Sequence, residues 1–259
     1  MIDLLNKIEL TAIKAGEAIM KIYNSDDFGV DYKDDDSPLT KADLAAHHVI
    51  VKDLETYTPD VPVLSEESAD IPFETRKTWN KYWLVDPLDG TKEFIKRNGE
   101  FTVNIALIED GVSTLSVVYV PVKKVSYTGA KGYGSFKSEN DVRSPISVLK
   151  PARIKPLVVG SRSHISKEVG EYLEKLGEHR MVSMGSSLKF CLVAEGQADL
   201  YPRLGLTSEW DTAAAQCIVE QAGGRVVTLD NKPLRYNTKE SLLNPHFMVY
   251  GDEKVSWIK

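Results

Sequence analysis

Three separated segments of the sequence supply four carboxylates that are candidate metal ligands. The segments are L-S-E-E-S, W-L-V-D-P-L-D-G-T and S-E-W-D-T, which supply Glu66, Asp86, Asp89 and Asp211. Each carboxylate follows an apolar strand-like run or opens a helix-like run, where side chains emerge into a crevice. Carboxylates together with a backbone carbonyl, such as that of Leu88, are ligands that hard divalent cations require. Mg²⁺ is the best candidate, and two such ions about 4 Å apart can bind an attacking hydroxide and a leaving oxygen in phosphate hydrolysis.

Each acidic segment also has a simpler structural explanation. D-P-L-D-G is a turn sequence, and Asp89 suits a cap on the helical turn T-K-E-F-I-K that follows. Glu66 and Glu67 on their own are typical of surface charge. Asp211 lies at the start of W-D-T-A-A-A, where helix capping is the usual role. A single match would favour the structural explanation, whereas three such segments together favour a cation site.

The chain around the central motif predicts a strand, a turn and a short helix, in that order. The apolar run Tyr82–Val85 predicts a buried strand that ends at Asp86, since Pro87 cannot donate to a strand ladder. Asp89 and Gly90 predict a turn that returns both carboxylates toward one point. Thr91 then opens the helical turn, whose unpaired amides attract an anion.

Two amphipathic helices are predicted ahead of this motif. Apolar residues at helical spacing predict the first over residues 2–23. The second begins at Thr40, where T-K-A-D matches the capping-box pattern with Asp43 as its acid, and runs to about Thr56. Its predicted inward side chains are those of Leu44, Val49, Ile50 and Leu54.

Strand patterns dominate up to about residue 150, and strands alternate with helices after it. F-T-V-N-I-A-L-I-E, the turn D-G and S-T-L-S-V-V-Y-V-P-V predict a hairpin in a mostly antiparallel sheet. The later alternation predicts a second layered α/β unit. Its predicted strands are Leu157–Gly160, Met181–Met184, Ala198–Tyr201 and Arg225–Leu229, and its predicted helices are Lys167–Leu176, Leu188–Glu195 and Thr212–Gln221. We therefore predict an α+β or α/β layered fold with domains at 1–150 and 151–259.

Composition limits the partners of the chain. The 259 residues carry a formal net charge of -6, so no excess of positive charge favours nucleic acid or an anionic membrane. No apolar run is long enough to span a membrane, and the N-terminal residues lack the order of a signal peptide. Cys191 and Cys217 both fall in apolar helix-like runs, which predicts buried free thiols and a reducing, cytoplasmic location. Peripheral association with the inner membrane stays open.

The motifs, taken in order, resemble the lithium-sensitive, magnesium-dependent phosphatase superfamily of inositol monophosphatases, fructose-1,6-bisphosphatases and bisphosphate nucleotidases. The matching segments are T-K-A-D, E-E-S, W-L-V-D-P-L-D-G-T, W-D-T-A-A and A-G-G, and the likeness covers nearly the whole chain. The resemblance implies an αβαβα sandwich with a mostly antiparallel N-terminal sheet and a smaller C-terminal α/β unit. It also implies two or three Mg²⁺ ions per site, and a monomer or homodimer.

The resemblance also implies roles for individual residues. One metal would be held by Glu66, Asp86 and the Leu88 carbonyl, and a second by Asp86, Asp89 and Asp211. In the family the nucleophile is a metal-bound water, and a Thr–Asp pair that matches Thr91 and Asp43 takes its proton. Glu66 is counted with this catalytic set, whereas Glu67 has no implied metal role. The helix-capping role of Asp43 stays open beside the catalytic one.

Substrate contacts follow from the same resemblance, because the sequence is most similar to 3'(2'),5'-bisphosphate nucleotidases of the CysQ type. G-T-K-E-F stands where inositol monophosphatases generally show G-T-T-N-F. The implied substrate-binding residues are Gly90, Thr91, His164, Ser186, Lys189, Arg203 and Glu209. Among them the Ser, Lys and Arg would lie near the second phosphate, which needs cations of its own far from the metals.

Simpler roles stay open for these residues too. Lys189 also suits a surface helix lysine, Arg203 an ion-pair partner at a rim, and His164 a structural histidine. The predicted activity is Mg²⁺-dependent hydrolysis of adenosine 3',5'-bisphosphate to AMP and phosphate, and of the 3'-phosphate of its 5'-phosphosulfate form. The alternatives are an inositol monophosphatase or broad sugar phosphatase, and a non-catalytic nucleotide or metal sensor.

Overall fold

The helices lie close to where the sequence predicts them. The computed structural model describes residues 1–25, 29, 31–32, 38–161 and 166–258. The α-helices are α1 (Ile2–Tyr23), α2 (Lys41–Tyr57), α3 (Phe73–Arg76), α4 (Thr91–Ile95), α5 (Lys167–Leu176), α6 (Leu188–Ala194) and α7 (Trp210–Gln221). A 3-10 turn covers Glu66–Ser68. No helix of the described residues is long and apolar enough to cross a membrane.

The strands form a seven-stranded sheet, a five-stranded sheet and a two-stranded ribbon. They are β1 (Asp31–Tyr32), β2 (Pro38–Leu39), β3 (Val63–Ser65), β4 (Lys81–Asp89), β5 (Thr102–Glu109), β6 (Val112–Val120), β7 (Val125–Ala130), β8 (Gly134–Glu139), β9 (Val142–Ile146), β10 (Leu157–Ser161), β11 (Arg180–Met184), β12 (Leu200–Arg203), β13 (Arg225–Thr228) and β14 (Phe247–Tyr250). The large sheet runs β3 to β9 in chain order, parallel only between β3 and β4. The smaller sheet has the order β11-β10-β12-β14-β13 and is mixed.

The helices and the two large sheets stack in five layers. α1 and α2 pack on one face of the seven-stranded sheet. The opposite face packs on α6 and α7, which also contact the five-stranded sheet in one continuous apolar cluster. α5 covers the outer face of the smaller sheet. This order is the αβαβα sandwich that the resemblance implied, whereas the division into domains at residue 150 stays a prediction.

α2 begins as the sequence predicts but turns a different face inward. Thr40 caps the helix, and the capping box with Asp43 is formed. The buried positions of the helix are Ala42, Asp43, Ala46, Ile50 and Leu54, spaced mainly by four residues. Leu44 is 40% exposed, so its predicted inward position is wrong. Small alanines define the inner face because they let the helix lie close to the sheet, and an apolar count alone does not detect them.

β4 extends further than predicted. It runs through Pro87 to Asp89 instead of ending at Asp86, and its pairing with β5 shifts register between Asp86 and Asp89. Proline is tolerated there because an irregular position in the ladder requires no N–H donor. The chain reverses only at Gly90, which has a left-handed φ of 96°.

In the C-terminal half the predicted elements exist, with shifted ends and one omission. β12 covers Leu200–Arg203, two residues later than predicted, and α7 begins at Trp210, two residues earlier. β14, over Phe247–Tyr250, was missed although it lies between β12 and β13 and pairs antiparallel with both. The smaller sheet is therefore mixed, which simple strand–helix alternation does not predict.

Candidate metal and phosphate site

Strand register brings the first acidic residues together. β3 pairs parallel with β4 so that Ser65 lies opposite Val85. Glu66 follows the end of β3, Asp86 is the next residue within β4, and the Glu66 carboxylate is close enough to raise the pKa of Asp86. Asp211 reaches the same place from the first turn of α7, where its Oδ2 accepts a hydrogen bond from the Ser208 amide at 3.0 Å. Carboxylates from both halves of the chain therefore meet between the sheets.

Asp86, Asp89 and Asp211 form a compact acidic cluster. Each offers a carboxylate oxygen, and these oxygens lie within 4.8 Å of one another. Burial and the carboxylates of Glu66 and Asp89 raise the pKa of Asp86 well above its usual value. Burial and the nearby carboxylate of Asp89 do the same to the pKa of Asp211. Like charges gathered out of water need a counter-charge, so the donor set fits a hard divalent cation.

Thr91 and Asp43 approach each other from different elements. The Thr91 hydroxyl, at the start of α4, lies 3.3 Å from Asp43 Oδ1 and 3.3 Å from the Leu88 carbonyl oxygen. Asp43 Oδ2 accepts hydrogen bonds from the Thr40 amide at 2.8 Å and the Thr40 hydroxyl at 2.6 Å. Burial raises the pKa of Asp43 to about 6, while the Thr40 hydrogen bonds act in the opposite direction. The helix-capping role and contact with Thr91 therefore use different oxygens of one carboxylate.

A cavity beside the acidic cluster is lined by four of the predicted substrate-binding residues, Gly90, Ser186, Lys189 and Arg203. Its lining includes Asp89, Gly90, Lys92, Ser161, Ser186, Lys189, Tyr201, Arg203 and Asp211. Lys189 is 8% exposed, donates to the Ser186 carbonyl at 2.6 Å and lies 5.6 Å from the centre of the Tyr201 ring. Arg203 donates to the Thr207 hydroxyl and the Leu206 carbonyl. Among the described residues, no carboxylate forms an ion pair with either cation.

Of the other three predicted substrate-binding residues, Thr91 lies beside Asp43, and Glu209 is not among the residues that line this cavity. Glu209 is 1% exposed, and its Oε2 accepts a hydrogen bond from the Asn237 amide at 2.9 Å. Burial raises the pKa of Glu209 to about 7. Its contact with substrate stays a prediction beside this visible structural role. His164 falls outside the described residues.

Three residues that contact the acidic cluster were not identified from the sequence. Ser187, Asn104 and Thr102 all place a donor within 3.5 Å of Asp89 Oδ2. Asn104 and Thr102 lie on β5, opposite Asp86 and Asp89 in the strand register. Polar residues in the apolar run F-T-V-N-I-A-L-I were the available signal, since polar side chains in a buried strand require partners.

A comparison with protein families supports the same interpretation. The model of the inositol monophosphatase family matches residues 3–254. The protein named 3'(2'),5'-bisphosphate nucleotidase CysQ from Salmonella typhimurium is 57% identical over 248 residues, which cover 95% of this chain and 99% of that protein. The predicted family is therefore confirmed over almost the whole sequence.

Solved structures share the fold as well. CysQ from Bacteroides thetaiotaomicron, described as a bacterial member of the inositol monophosphatase family, has a TM-score of 0.84 and 44% identity, covering 95% of this chain and 97% of that one. The inositol monophosphatase from Anabaena has a TM-score of 0.76 and 25% identity, covering 96% of this chain and 90% of that one. The similarity in sequence is thus higher to the CysQ structure than to the inositol monophosphatase.

Proposed function

The chain belongs to the inositol monophosphatase family, and from this premise we propose that it hydrolyses adenosine 3',5'-bisphosphate to AMP and phosphate. The same reaction removes the 3'-phosphate from the 5'-phosphosulfate form. One observation carries the choice of substrate. A single cavity contains carboxylates of the acidic cluster together with Lys189 and Arg203, cations without a carboxylate partner in the described chain.

Mg²⁺ is the proposed cofactor, with two or three ions per site. Glu66, Asp86, the Leu88 carbonyl, Asp89 and Asp211 would hold them, and the raised pKa values of Asp86 and Asp211 support a site designed for a cation. When bound, Mg²⁺ lowers the pKa of water toward neutrality and neutralises charge that develops on phosphate oxygens.

Proton transfer is assigned to Thr91 and Asp43. The attacking water loses its proton to Thr91 Oγ1 while the Thr91 hydroxyl proton passes to Asp43 Oδ1, 3.3 Å away. Asp43 suits this role because its pKa of about 6 keeps it ionised near neutrality and basic enough to accept a proton. The amides of Gly90 and Thr91, at the start of α4, would donate to the scissile phosphate.

The second phosphate is assigned to Ser186, Lys189 and Arg203. A phosphate placed between a buried and a half-buried cation would form the direct ion pair that neither makes with a carboxylate of the described chain. Tyr201 supports Lys189 through its ring face, which fixes the direction of the ammonium group. A substrate with one phosphate would leave these cations without an anion, and this difference underlies the proposed specificity.

A reducing, cytoplasmic location is part of the proposal. Cys191 and Cys217 are both buried and free. Buried thiols of this kind suit a compartment that keeps cysteines reduced. Whether the chain acts as a monomer or a homodimer stays a prediction.

The decisive experiment compares substrates in the presence of Mg²⁺. Phosphate release is measured from adenosine 3',5'-bisphosphate, adenosine 3'-phosphate, inositol 1-phosphate and fructose 1,6-bisphosphate. We expect the highest kcat/KM for the bisphosphate nucleotide. A wide advantage for inositol 1-phosphate would instead identify an inositol monophosphatase, and binding of nucleotide without turnover would identify a sensor.

Lys189→Met tests the second-phosphate subsite. Loss of a charge-assisted hydrogen bond costs about 1.5–3 kcal/mol, so KM for the bisphosphate should rise about 10- to 150-fold. Adenosine 3'-phosphate lacks the 5'-phosphate and serves as the control substrate, for which kcat/KM should hardly change. Lys189→Arg keeps the positive charge, so its KM for the bisphosphate should rise less than that of Lys189→Met. Equal losses on both nucleotides would contradict the assignment.

A further inference from the structure

Every hydrogen bond that the described residues donate to the Asp89 carboxylate reaches the same oxygen. Asp89 Oδ2 accepts from the Ser187 amide at 2.6 Å and the Ser187 hydroxyl at 2.7 Å. The amide of Asn104 and the hydroxyl of Thr102 approach the same oxygen at 3.3 and 3.5 Å. In the described chain no donor reaches Oδ1. Four donors crowd one oxygen, so the other is the oxygen that a cation can take.

Asn104 sets the direction in which the Ser187 hydroxyl donates. Asn104 Nδ2 donates to Ser187 Oγ at 3.0 Å, so the hydroxyl must point its own proton elsewhere. The available acceptors are Asp89 Oδ2 at 2.7 Å and the Asp211 carbonyl oxygen at 2.8 Å. If the oxygen and nitrogen of the Asn104 side-chain amide were exchanged, its oxygen would lie against the Asp89 carboxylate, which is unfavourable. Asn104 therefore donates its N–H to Ser187 Oγ and does not accept the Ser187 proton.

Ser187 joins three separate parts of the site. It precedes α6 in the C-terminal half, whereas Asp89 ends β4 in the seven-stranded sheet. Its hydroxyl also reaches the backbone of Asp211 on α7. Ser187 is 1% exposed, so water does not compete for these bonds. A serine needed only for the stability of α6 would have no reason to contact two of the three residues of the acidic cluster, Asp89 through its carboxylate and Asp211 through its backbone carbonyl.

We propose that Ser187 is a positioning residue for the metal centre, which holds the Asp89 carboxylate by Oδ2 and leaves Oδ1 to the cation. This inference rests on the proposed function, because it takes Asp89 as a metal ligand. Hydrogen bonds that orient a ligating carboxylate typically change metal affinity about 10- to 100-fold when removed. Ser187 also follows Ser186, so the same turn that faces the phosphate cavity orients a metal ligand.

The test measures metal affinity without turnover. Metal-free Ser187→Ala is titrated with Mn²⁺, and free Mn²⁺ is counted by electron paramagnetic resonance, followed by competition with Mg²⁺. The matched control is Ser135→Ala, which removes another buried serine hydroxyl, one that donates to the Ile218 carbonyl at 2.6 Å. We expect Ser187→Ala to bind about 10- to 100-fold more weakly and Ser135→Ala to bind as the wild type does.

A second variant covers the case in which Ser187→Ala does not fold. Ser187→Cys puts a larger and weaker donor at the same position, and its metal affinity should fall between those of Ser187→Ala and the wild type. Wild-type affinity in a folded Ser187 variant overturns the proposal, as does an equal loss in Ser135→Ala. If the wild type binds Mn²⁺ but releases no phosphate from the nucleotide, the proposed substrate fails, and the affinity difference between the two serine variants still decides the role of Ser187.

Discussion

At the scale of single residues, Asp43 combines a structural and a chemical role. One of its oxygens completes the capping box of α2, and the other lies 3.3 Å from the Thr91 hydroxyl. The two explanations that the sequence left open are therefore compatible. The helix cap fixes the rotamer of the carboxylate, and a fixed carboxylate is what a general base requires.

The pH dependence of turnover should report on Asp43. Its pKa of about 6 predicts that kcat, measured with saturating Mg²⁺ and nucleotide, falls tenfold per pH unit below about 6, because the protonated acid cannot accept a proton. The Thr40 hydrogen bonds lower this pKa, so Thr40→Val should move the acid limb to higher pH. Asp43→Asn should reduce kcat about 100- to 10,000-fold.

Thr40→Ser is the control for that shift, since it keeps the hydroxyl group. Thr40→Val should also lose about 0.5–2 kcal/mol of helix stability through the missing cap, which unfolding experiments would measure separately. An acid limb that stays in place in Thr40→Val would contradict the assignment of the base to Asp43.

The sequence identified the individual carboxylates but not the side chains that donate hydrogen bonds to them. Asp86, Asp89 and Asp211 were identified from their segments and do lie together. Ser187 was missed because its contact with Asp89 depends on how the start of α6 meets the end of β4, and Asn104 because its contact depends on the irregular pairing of β4 with β5. Local patterns encode which side chains could act, whereas tertiary packing decides which groups orient them.

At the scale of elements, the turn between β4 and α4 places the centre of the site. Gly90 adopts a φ of 96°, and a Cβ at this position would lie 3.1 Å from the Glu100 carbonyl oxygen. Both the backbone conformation and the space therefore require glycine. The turn then delivers Thr91 to Asp43, so its geometry matters for chemistry as well as for folding.

Gly90→Ala should damage activity more than it damages stability. We expect a cost of about 1–3 kcal/mol in unfolding free energy from the strained residue, and a fall in kcat of at least about tenfold because Thr91 shifts. Gly134→Ala is the matched control: its φ is 90°, but nothing lies within 4 Å of the added carbon. That variant should lose stability and keep its kcat. Equal kcat values in both variants would contradict the role of the turn.

Elements with strong local signals could be predicted, and those that depend on a partner strand could not. α1 and α5 match their predicted bounds because apolar spacing defines a helix without reference to the rest of the chain. The extension of β4 through Pro87 depends on an irregular pairing with β5. β14 was missed for a similar reason, since a four-residue strand acquires its identity from the strands on either side.

At the scale of the whole molecule, the two sheets and the helices between them gather buried negative charge. The apolar cluster around α6 and α7 includes residues of both sheets, and Asp86 on β4 and Asp211 on α7 are carboxylates whose pKa burial raises. Without a cation, the folded state must bear the cost of these carboxylates. The site therefore opposes stability, as is common where function requires unfavourable groups.

Asp86→Asn should consequently raise the melting temperature of the metal-free protein. Because the folded state raises the pKa of Asp86, the wild type loses stability as pH rises above the usual range of an aspartate. The advantage of Asp86→Asn should therefore grow as pH rises above the usual pKa of an aspartate, at about 2–4 °C per kcal/mol. Added Mg²⁺ should raise the Tm of the wild type and hardly that of the variant.

Asp199→Asn is the matched control. It shows that the direction of the change in melting temperature depends on whether the buried carboxylate has a cationic partner. Asp199 is also buried, but its Oδ2 accepts from the Arg153 guanidinium at 2.8 Å and from the Leu157 amide at 2.8 Å. Removing a paired charge leaves Arg153 without its partner, so this variant should melt at a lower temperature with or without Mg²⁺. If differential scanning calorimetry found that Asp86→Asn also melts lower in the absence of metal, the fold would already neutralise the cluster by itself, and the need for a cation at this site would lose its physical basis.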